Sequence, residues 1–350
     1  MRLLFLYSEL ADYFVACLKK LQEMYDVEIH VIHWPVNKEA PFAFNFPGSI
    51  KFYQKDTFLN KKDIVHKINE ISPDFIYCSG WMDKDYLSAA KRYTKKTPVV
   101  IGLDTKWEGK ARQYGAAIVS RLTIRKIFSH CWVPGNQQKE YALKLGFKEN
   151  EILMGFYSAD VDYFKAISEQ AIETKNKKYP HRFIYVGRYY DFKGITDIWD
   201  AFIAWKKETK NDWELWCLGT GDILPIDHPA IKHFGFVQPK DMKPYIEQTS
   251  VFIMPSRFEP WGVVLHEFAA AGFPVICSDK VGATEAFLRD GENGYIYHAG
   301  NIIALKNAIG KIALLSDERL KEMGSRSTKL AAQITPAKWA ETLMNTVQKK

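Results

Sequence analysis

The sequence predicts an α/β protein of two doubly wound parallel-sheet domains facing a central cleft, and three observations carry that expectation. The chain has 350 residues, more than one hydrophobic core comfortably serves. Short apolar runs alternate with longer amphipathic stretches along its whole length. The rhythm breaks once, at AISEQAIETKNKKYP (166–180), and then restarts.

In the first half the strand candidates are LLFLY (3–7), VEIHVIH (27–33), DFIYCS (74–79), PVVIGL (98–103) and HCWVPG (130–135). Each is short, rich in branched or aromatic residues and bounded by turn formers. Between them LADYFVACLKKL, KDIVHKINEI, DYLSAAKRYTKK and NQQKEYALKLG repeat apolar residues at helical spacing. Strands apolar on both faces, alternating with helices, imply a parallel sheet covered on both sides. The polar stretch 166–180 ends in proline and reads as a linker. Beyond it RFIYVGR (182–188), ELWCLGTG (214–221), IKHFGF (231–236), VFIMPS (251–256) and PVICSD (274–279) renew the pattern. The expected division is a first domain over 1–165, a linker over 166–180 and a second domain over 181–335. A C-terminal helix over 336–350 is expected to pack back on the first domain.

Bulk properties exclude several classes. Composition is 47% apolar and 25% charged, ordinary for a globular protein. The opening MRLLFLYSELADYF has too short an apolar run for a signal peptide and reads as a buried strand. No run approaches the roughly 18–20 apolar residues that span a bilayer. The five cysteines stand far apart in apolar runs, which suits reduced core thiols in a cytoplasmic protein. The net charge of +7 is spread thinly, the first 165 residues holding 24 Lys and Arg against 19 Asp and Glu. Such an excess fits an anionic ligand or an anionic membrane surface at the inner face. No nucleic-acid-binding signature is present.

Ligands of open parallel sheets bind beyond the carboxyl ends of strands, so binding residues are expected at those ends. In PSRFEPWGVVLHEFAAAG (255–272), a strand ends, a loop carries Glu259, and a helix carries Glu267. Around Pro260, Trp261, Gly262 and Val263 that helix begins, exposing unpaired amides and its positive dipole end to an anion. Gly262 allows close approach. In VGRYYDFKG (186–194), Gly187, Arg188 and Lys193 follow another strand at once. A planar fork and a mobile point charge together suit a diphosphate.

On these residues the chain resembles a family-4 (group 1) retaining glycosyltransferase of the GT-B fold. The spacing from Glu259 to Glu267 and the Arg188-x4-Lys193 element carry the resemblance. So do MGFYSADVDYF (154–164), LWCLGTGD (215–222) and PVICSDKVGATEAFLRDGENGYIY (274–297), in the family's order. The resemblance is strong over about 150–300, whereas the first half matches only in rhythm. It implies transfer of a sugar from a nucleotide-diphosphate sugar, with uridine the expected base, to a carbohydrate or lipid-linked hydroxyl. Arg188 and Lys193 would neutralise the diphosphate and Glu267 would hold the ribose. Glu259 would hold the sugar and steady positive charge on it. Backbone at Gly235, Phe236 and Val237 would meet the base. No metal and no further cofactor are implied. On the acceptor side the family's glycine-rich loop is replaced by YSELADYF, with Ser8 and Glu9. Its histidine position reads GLDTKWEG, with Asp104 as the candidate contact. A sugar-nucleotide epimerase and a non-catalytic nucleotide-binding protein share the same expected pocket.

Other signals are set aside. Asp83-Lys84-Asp85 matches a metal-binding D-x-D but opens a helix, where early acids suit the dipole. LGTGD (218–222) is too little of a dinucleotide fingerprint. His266 reads as a packing residue, and no G-x-S-x-G is present. KARQYGAAIVSRLTIRKIF (110–128) mixes basic and apolar residues. It fits one or two helices resting on anionic lipid, or a plain core-facing helix.

Overall fold

RLLFLY, VVIG, VFIM and VICS are buried along nearly their full length, which only a sheet covered on both faces permits. The structure, a computed structural model, describes residues 1–37 and 41–348. It divides into two compact units, Met1–Ser158 with the segment from Pro336, and Ala159–Thr335.

In the first unit the strands are β1 (Arg2–Tyr7), β2 (Glu28–His33), β3 (Lys51–Gln54), β4 (Phe75–Cys78), β5 (Val99–Gly102), β6 (His130–Val133) and β7 (Ile152–Met154). They pair in parallel in the order β3-β2-β1-β4-β5-β6-β7. In the second unit β8 (Arg182–Val186), β9 (Glu214–Leu218), β10 (Ile231–His233), β11 (Val251–Met254), β12 (Val275–Ser278) and β13 (Gly294–Tyr297) pair in the order β10-β9-β8-β11-β12-β13, again all parallel. Strand order reverses between β1 and β4 in one sheet and between β8 and β11 in the other. Each reversal opens a crevice at the strands' carboxyl ends.

Three strands escaped the sequence reading: β3, β7 and β13 lie at sheet edges and have three or four residues each. Each is too short and too partly exposed to stand out as a strand, whether mixed like KFYQ or apolar like ILM. The expected helix over DYLSAAKRYTKK stops at Ala90, followed by turns.

The linker expected over 166–180 is a correction. Residues Val161–Lys177 form one helix, capped by the Asp160 carboxylate accepting from the Tyr163 N–H at 3.2 Å. Val161, Phe164, Ile167 and Ala171 are its buried stripe. The charged residues that suggested a linker cover its outer face. The division between units falls after Ser158 rather than at 165.

The chain re-enters the first unit as the helix Pro336–Gln348. Trp339 carries that return. Its ring stacks on Trp132 at 4.8 Å and on Phe5 at 6.1 Å, and its Nε1–H donates to the Phe156 carbonyl at 2.9 Å. Replacing Trp339 with Ala leaves a cavity and an unmet carbonyl, an expected loss of about 3–5 kcal/mol. Urea unfolding of the full chain checks this, and a loss below about 1 kcal/mol would show that the helix is only loosely docked.

Candidate active site

The site grows from the adjoining ends of β8 and β11. Past β8 the ladder continues for one bond, the Gly187 N–H donating to the Leu218 carbonyl at 3.0 Å. The Tyr185 hydroxyl donates to the Arg188 carbonyl at 2.8 Å and fixes the turn that presents Arg188. The Arg188 guanidinium lies 5.2 Å over the Tyr190 ring. A single 3-10 turn, Asp191–Lys193, then leads to Gly194. At Gly194 φ is +70°, and a Cβ would stand 2.3 Å from the Pro255 carbonyl oxygen. Only glycine lets the β8 loop close on the β11 loop here.

That closure places Lys193 against Glu259. Their charged groups form an ion pair whose side chains are 17% and 14% exposed. Half-shielded charges of this kind interact more strongly than surface pairs. Glu259 is held from its far side too. Its carbonyl accepts from the Gly282 N–H at 3.1 Å, and the Trp261 carbonyl accepts from the Ala283 N–H at 2.8 Å. Gly282 has no room for a Cβ, which would meet the Pro260 carbonyl oxygen at 2.1 Å.

Gly262, with φ +96°, turns the chain into the helix Val263–Ala270. The first amides of that helix have no intrahelical acceptor. The Trp261 side chain is buried against Phe287, so Trp261 offers a ligand its backbone and not its indole. Glu267 lies in the second turn, half-buried. Its neighbour His266 is fully enclosed. The His266 Nδ1 accepts from the Ala159 N–H and its Nε2–H donates to the Ala331 carbonyl, both at 3.0 Å. Burial pushes this imidazole down to about 4, and its enclosure denies it to a substrate.

The loops after β9 and β10 join the same edge. The Gly219 N–H donates to the Gly235 carbonyl at 2.7 Å and the Tyr189 N–H donates to the Thr220 carbonyl at 2.8 Å. A Cβ on Gly219 would stand 1.9 Å from the Gly187 carbonyl oxygen, and one on Gly221 would stand 2.6 Å from that of Tyr189. The two glycines of LGTGD, set aside as a weak fingerprint, are therefore what lets three strand-end loops touch. Gly235 itself has φ +69°, and Phe236 and Val237 follow it half-buried.

Gly187, Arg188, Lys193, Glu259, Pro260, Trp261, Gly262 and Val263 thus come together at β8 and β11. Glu267 follows in the helix, while Gly235, Phe236 and Val237 come off β10, joined through Gly219. Ser8, Glu9 and Asp104 belong to the other unit, at the carboxyl edge of its sheet. There the Ser8 N–H donates to the Ser79 Oγ at 2.7 Å, bridging β1 and β4. Glu9 accepts from the Asn37 Nδ2 at 2.9 Å and Asp104 accepts from the Tyr157 hydroxyl at 3.1 Å. Asp83 caps its helix, accepting from the Asp85 and Tyr86 amides, and pairs with Lys55 at 2.5 Å.

One residue was missed. Arg257 reaches back from the β11 loop and grips Asp191 at 2.9 and 3.0 Å and Asp197 at 2.6 and 3.0 Å. Its own N–H donates to the Phe192 carbonyl at 2.8 Å. The bonds to buried Asp197, joined by the charge of Asp191, raise the Arg257 pKa further above its ordinary value. Arg257 clamps the loop of Lys193 to the loop of Glu259. Its place in PSRFEP, two residues before Glu259, was the available signal.

A family model described as glycosyl transferases group 1 matches residues 180–315. Over that stretch the chain is similar to the group 1 glycosyl transferases. It is 33% identical over 147 residues, 40% of its length, to a phosphatidyl-myo-inositol mannosyltransferase of Mycobacterium leprae. It is 32% identical over 105 residues, 28% of its length, to the lipopolysaccharide core biosynthesis glycosyltransferase LpsE of Rhizobium meliloti. The chain covers only 38% and 31% of those two relatives' own lengths. Among solved structures, Anabaena Alr3699/HepE in complex with UDP and glucose superposes over 100% of both chains with a TM-score of 0.72 at 14% identity. A glycosyltransferase of Rickettsia africae reaches 0.74 at 14% identity over 99% of this chain and 98% of its own. The fold is that of the GT-B glycosyltransferases, two parallel-sheet α/β units.

Two outcomes follow. Arg257→Met leaves the Asp197 carboxylate without its partner in a nearly closed site, an expected loss of about 1–3 kcal/mol, and Arg257→Lys does not restore a two-pronged grip. Thermal melting checks this, and a wild-type melting temperature for Arg257→Met would refute the clamp. For His266 the folded-state pKa is depressed, so its contribution is complete above about 6.5 and is lost as pH falls toward about 4. Stability should fall by roughly 1.4 kcal/mol per pH unit there, and His266→Gln should remove that part of the slope in denaturation curves.

Proposed function

We propose that this chain is a family-4, retaining, metal-independent glycosyltransferase. It moves a sugar from a nucleotide-diphosphate sugar, a UDP-sugar first, to a hydroxyl of a glycan, lipid-linked or small-molecule acceptor. The observation that carries this is the pairing of Lys193 with Glu259 beside the tip of the helix Val263–Ala270. A diphosphate needs positive charge, and the sugar joined to it needs acceptors for its hydroxyls. Here a cation, a carboxylate and the first amides of a helix, which lack intrahelical acceptors, occupy one corner.

Arg188 and Lys193 take up the negative charge that grows on the diphosphate as the glycosidic bond breaks. The amides at Trp261, Gly262 and Val263 add to them. These groups do for the leaving group what a divalent cation does in metal-dependent transferases. Glu259 accepts hydrogen bonds from the sugar and faces the positive charge developing on its ring. Glu267 accepts from the ribose hydroxyls. Gly187 and Pro260 contribute backbone, and the segment of Gly235, Phe236 and Val237 meets the base. On the acceptor side Ser8, Glu9 and Asp104 take the incoming hydroxyl compound. The departing diphosphate oxygen removes the proton of the attacking hydroxyl, on the face it leaves, so configuration is kept.

UDP and glucose bound to Anabaena HepE support the uridine choice. Relatives in phospholipid mannosylation and lipopolysaccharide core assembly support a role in polysaccharide or glycoconjugate biosynthesis. Five buried free cysteines suit the cytoplasm. Among the described residues no helix is long and apolar enough to cross a membrane.

Transfer and hydrolysis assays over a panel of UDP-sugars are the test. Arg188→Ala, Lys193→Ala and Glu267→Ala should each lower kcat by about 10²–10³. Rates should survive a chelator, and NMR of the product should give the donor's anomeric configuration. Normal turnover in all three variants would refute the assignment.

A further inference from the structure

In the helix Ala111–Ser120 the fully buried side chains are polar, with Ala116 alone of its apolar residues packed on the core. Its buried side chains are Gln113 and Ser120. The Gln113 Oε1 accepts from the Glu108 N–H at 2.8 Å and the Lys110 N–H at 3.3 Å, and its Nε2 donates to the Lys106 carbonyl at 2.7 Å. The Ser120 hydroxyl donates to the Leu145 carbonyl at 2.9 Å. Polar bonds therefore hold the inner face to the unit. Outward stand Tyr114, Ile118, Val119 and Leu122, exposed by 56%, 73%, 55% and 69%. Tyr114 and Ile118 are spaced i, i+4 on one face of the helix, with Val119 beside them and Leu122 in the turn that follows. Four large apolar groups exposed within nine residues are a feature that soluble surfaces avoid unless something covers them.

The charge around these apolar groups names the cover. No Asp or Glu occurs between Glu108 and Glu140. Lys110 pairs with Glu108 and Arg125 with Glu151. Arg112, Arg121 and Lys126 are exposed and, among the described residues, have no ion-pair partner. A second copy of the chain, docked face to face, would set these cations against themselves. An anionic bilayer surface meets both features at once, phosphates for the cations and the acyl boundary for the apolar groups.

We propose that this face docks the first unit on an anionic lipid surface. Ile118, Val119 and Leu122 enter the boundary between headgroups and acyl chains, Tyr114 lies at headgroup level, and Arg112, Arg121 and Lys126 lie along the phosphates. The surface belongs to the first unit and is independent of the nucleotide-sugar reading of the second. Within 110–128 the smaller or later apolar residues Ala116, Ile124, Ile127 and Phe128 face the core, and Tyr114, Ile118, Val119 and Leu122 are the ones left for lipid.

The full chain is to be sedimented with vesicles of phosphatidylcholine alone and of phosphatidylcholine mixed with phosphatidylglycerol. Binding should be at least roughly tenfold tighter to the anionic vesicles. The variant Ile118→Ser/Val119→Ser/Leu122→Ser should lose roughly tenfold or more with an unchanged melting temperature. Arg112→Gln, Arg121→Gln and Lys126→Gln should each weaken binding about fivefold. Absence of binding to anionic vesicles would overturn the proposal, as would a serine variant that binds like its parent. Analytical ultracentrifugation showing a dimer that the serine variant dissolves would assign this surface to a second copy instead.

Discussion

The closing of one loop onto another fixes the geometry of the candidate donor site. The β8 loop carries Arg188 and Lys193, the β11 loop carries Glu259 and the helix tip, and neither position means anything without the other. Three contacts hold them together: Gly194 against the Pro255 carbonyl, the Phe192 carbonyl receiving two amides, and Arg257 on Asp191 and Asp197. The first is steric, the second backbone hydrogen bonding and the third ionic, so the join has no single soft component. Strand reversal between β8 and β11 puts the two loops side by side in the first place. Topology supplies proximity, and these contacts turn proximity into a fixed distance between a cation and a carboxylate.

Much of this is legible in the sequence. Central strands are buried on both faces, so FIYV and VFIM are unbroken apolar runs and declare themselves. The cation and acid pairs declare themselves by spacing. What stayed hidden has a common physical cause, since it depends on partners distant in sequence. Edge strands such as ILM and GYIY gain their pairing from neighbours rather than from composition. Gly219 looks like any glycine until the Gly187 carbonyl stands where its side chain would be. Arg257 looks like a surface cation until Asp197, sixty positions earlier, is seen buried beneath it. The stretch 166–180 misled because its four inward residues are outnumbered by the charged ones that cover the helix outside.

The two units divide the physics between them. In the second, charge is concentrated, shielded and paired at one corner of a sheet. In the first, the corresponding edge holds Ser8, Glu9 and Asp104, each engaged with a neighbour of its own unit, and the free positive charge lies instead along the outside of a helix. Composition alone averages these into a diffuse +7. Burial separates them, because a half-enclosed charge acts on one ligand while an exposed one acts on any surface of opposite sign.

The return of the chain through Trp339 makes the second unit an insertion within the first. A ribosome finishes Ala159–Thr335 before the helix that completes the neighbouring core has been made. The second unit therefore has every residue it needs to mature early. Its companion must wait with Phe5 and Trp132 uncovered on one side until the last stretch emerges. Nascent chains stalled short of that stretch would offer chaperones an aromatic surface that the finished protein never displays.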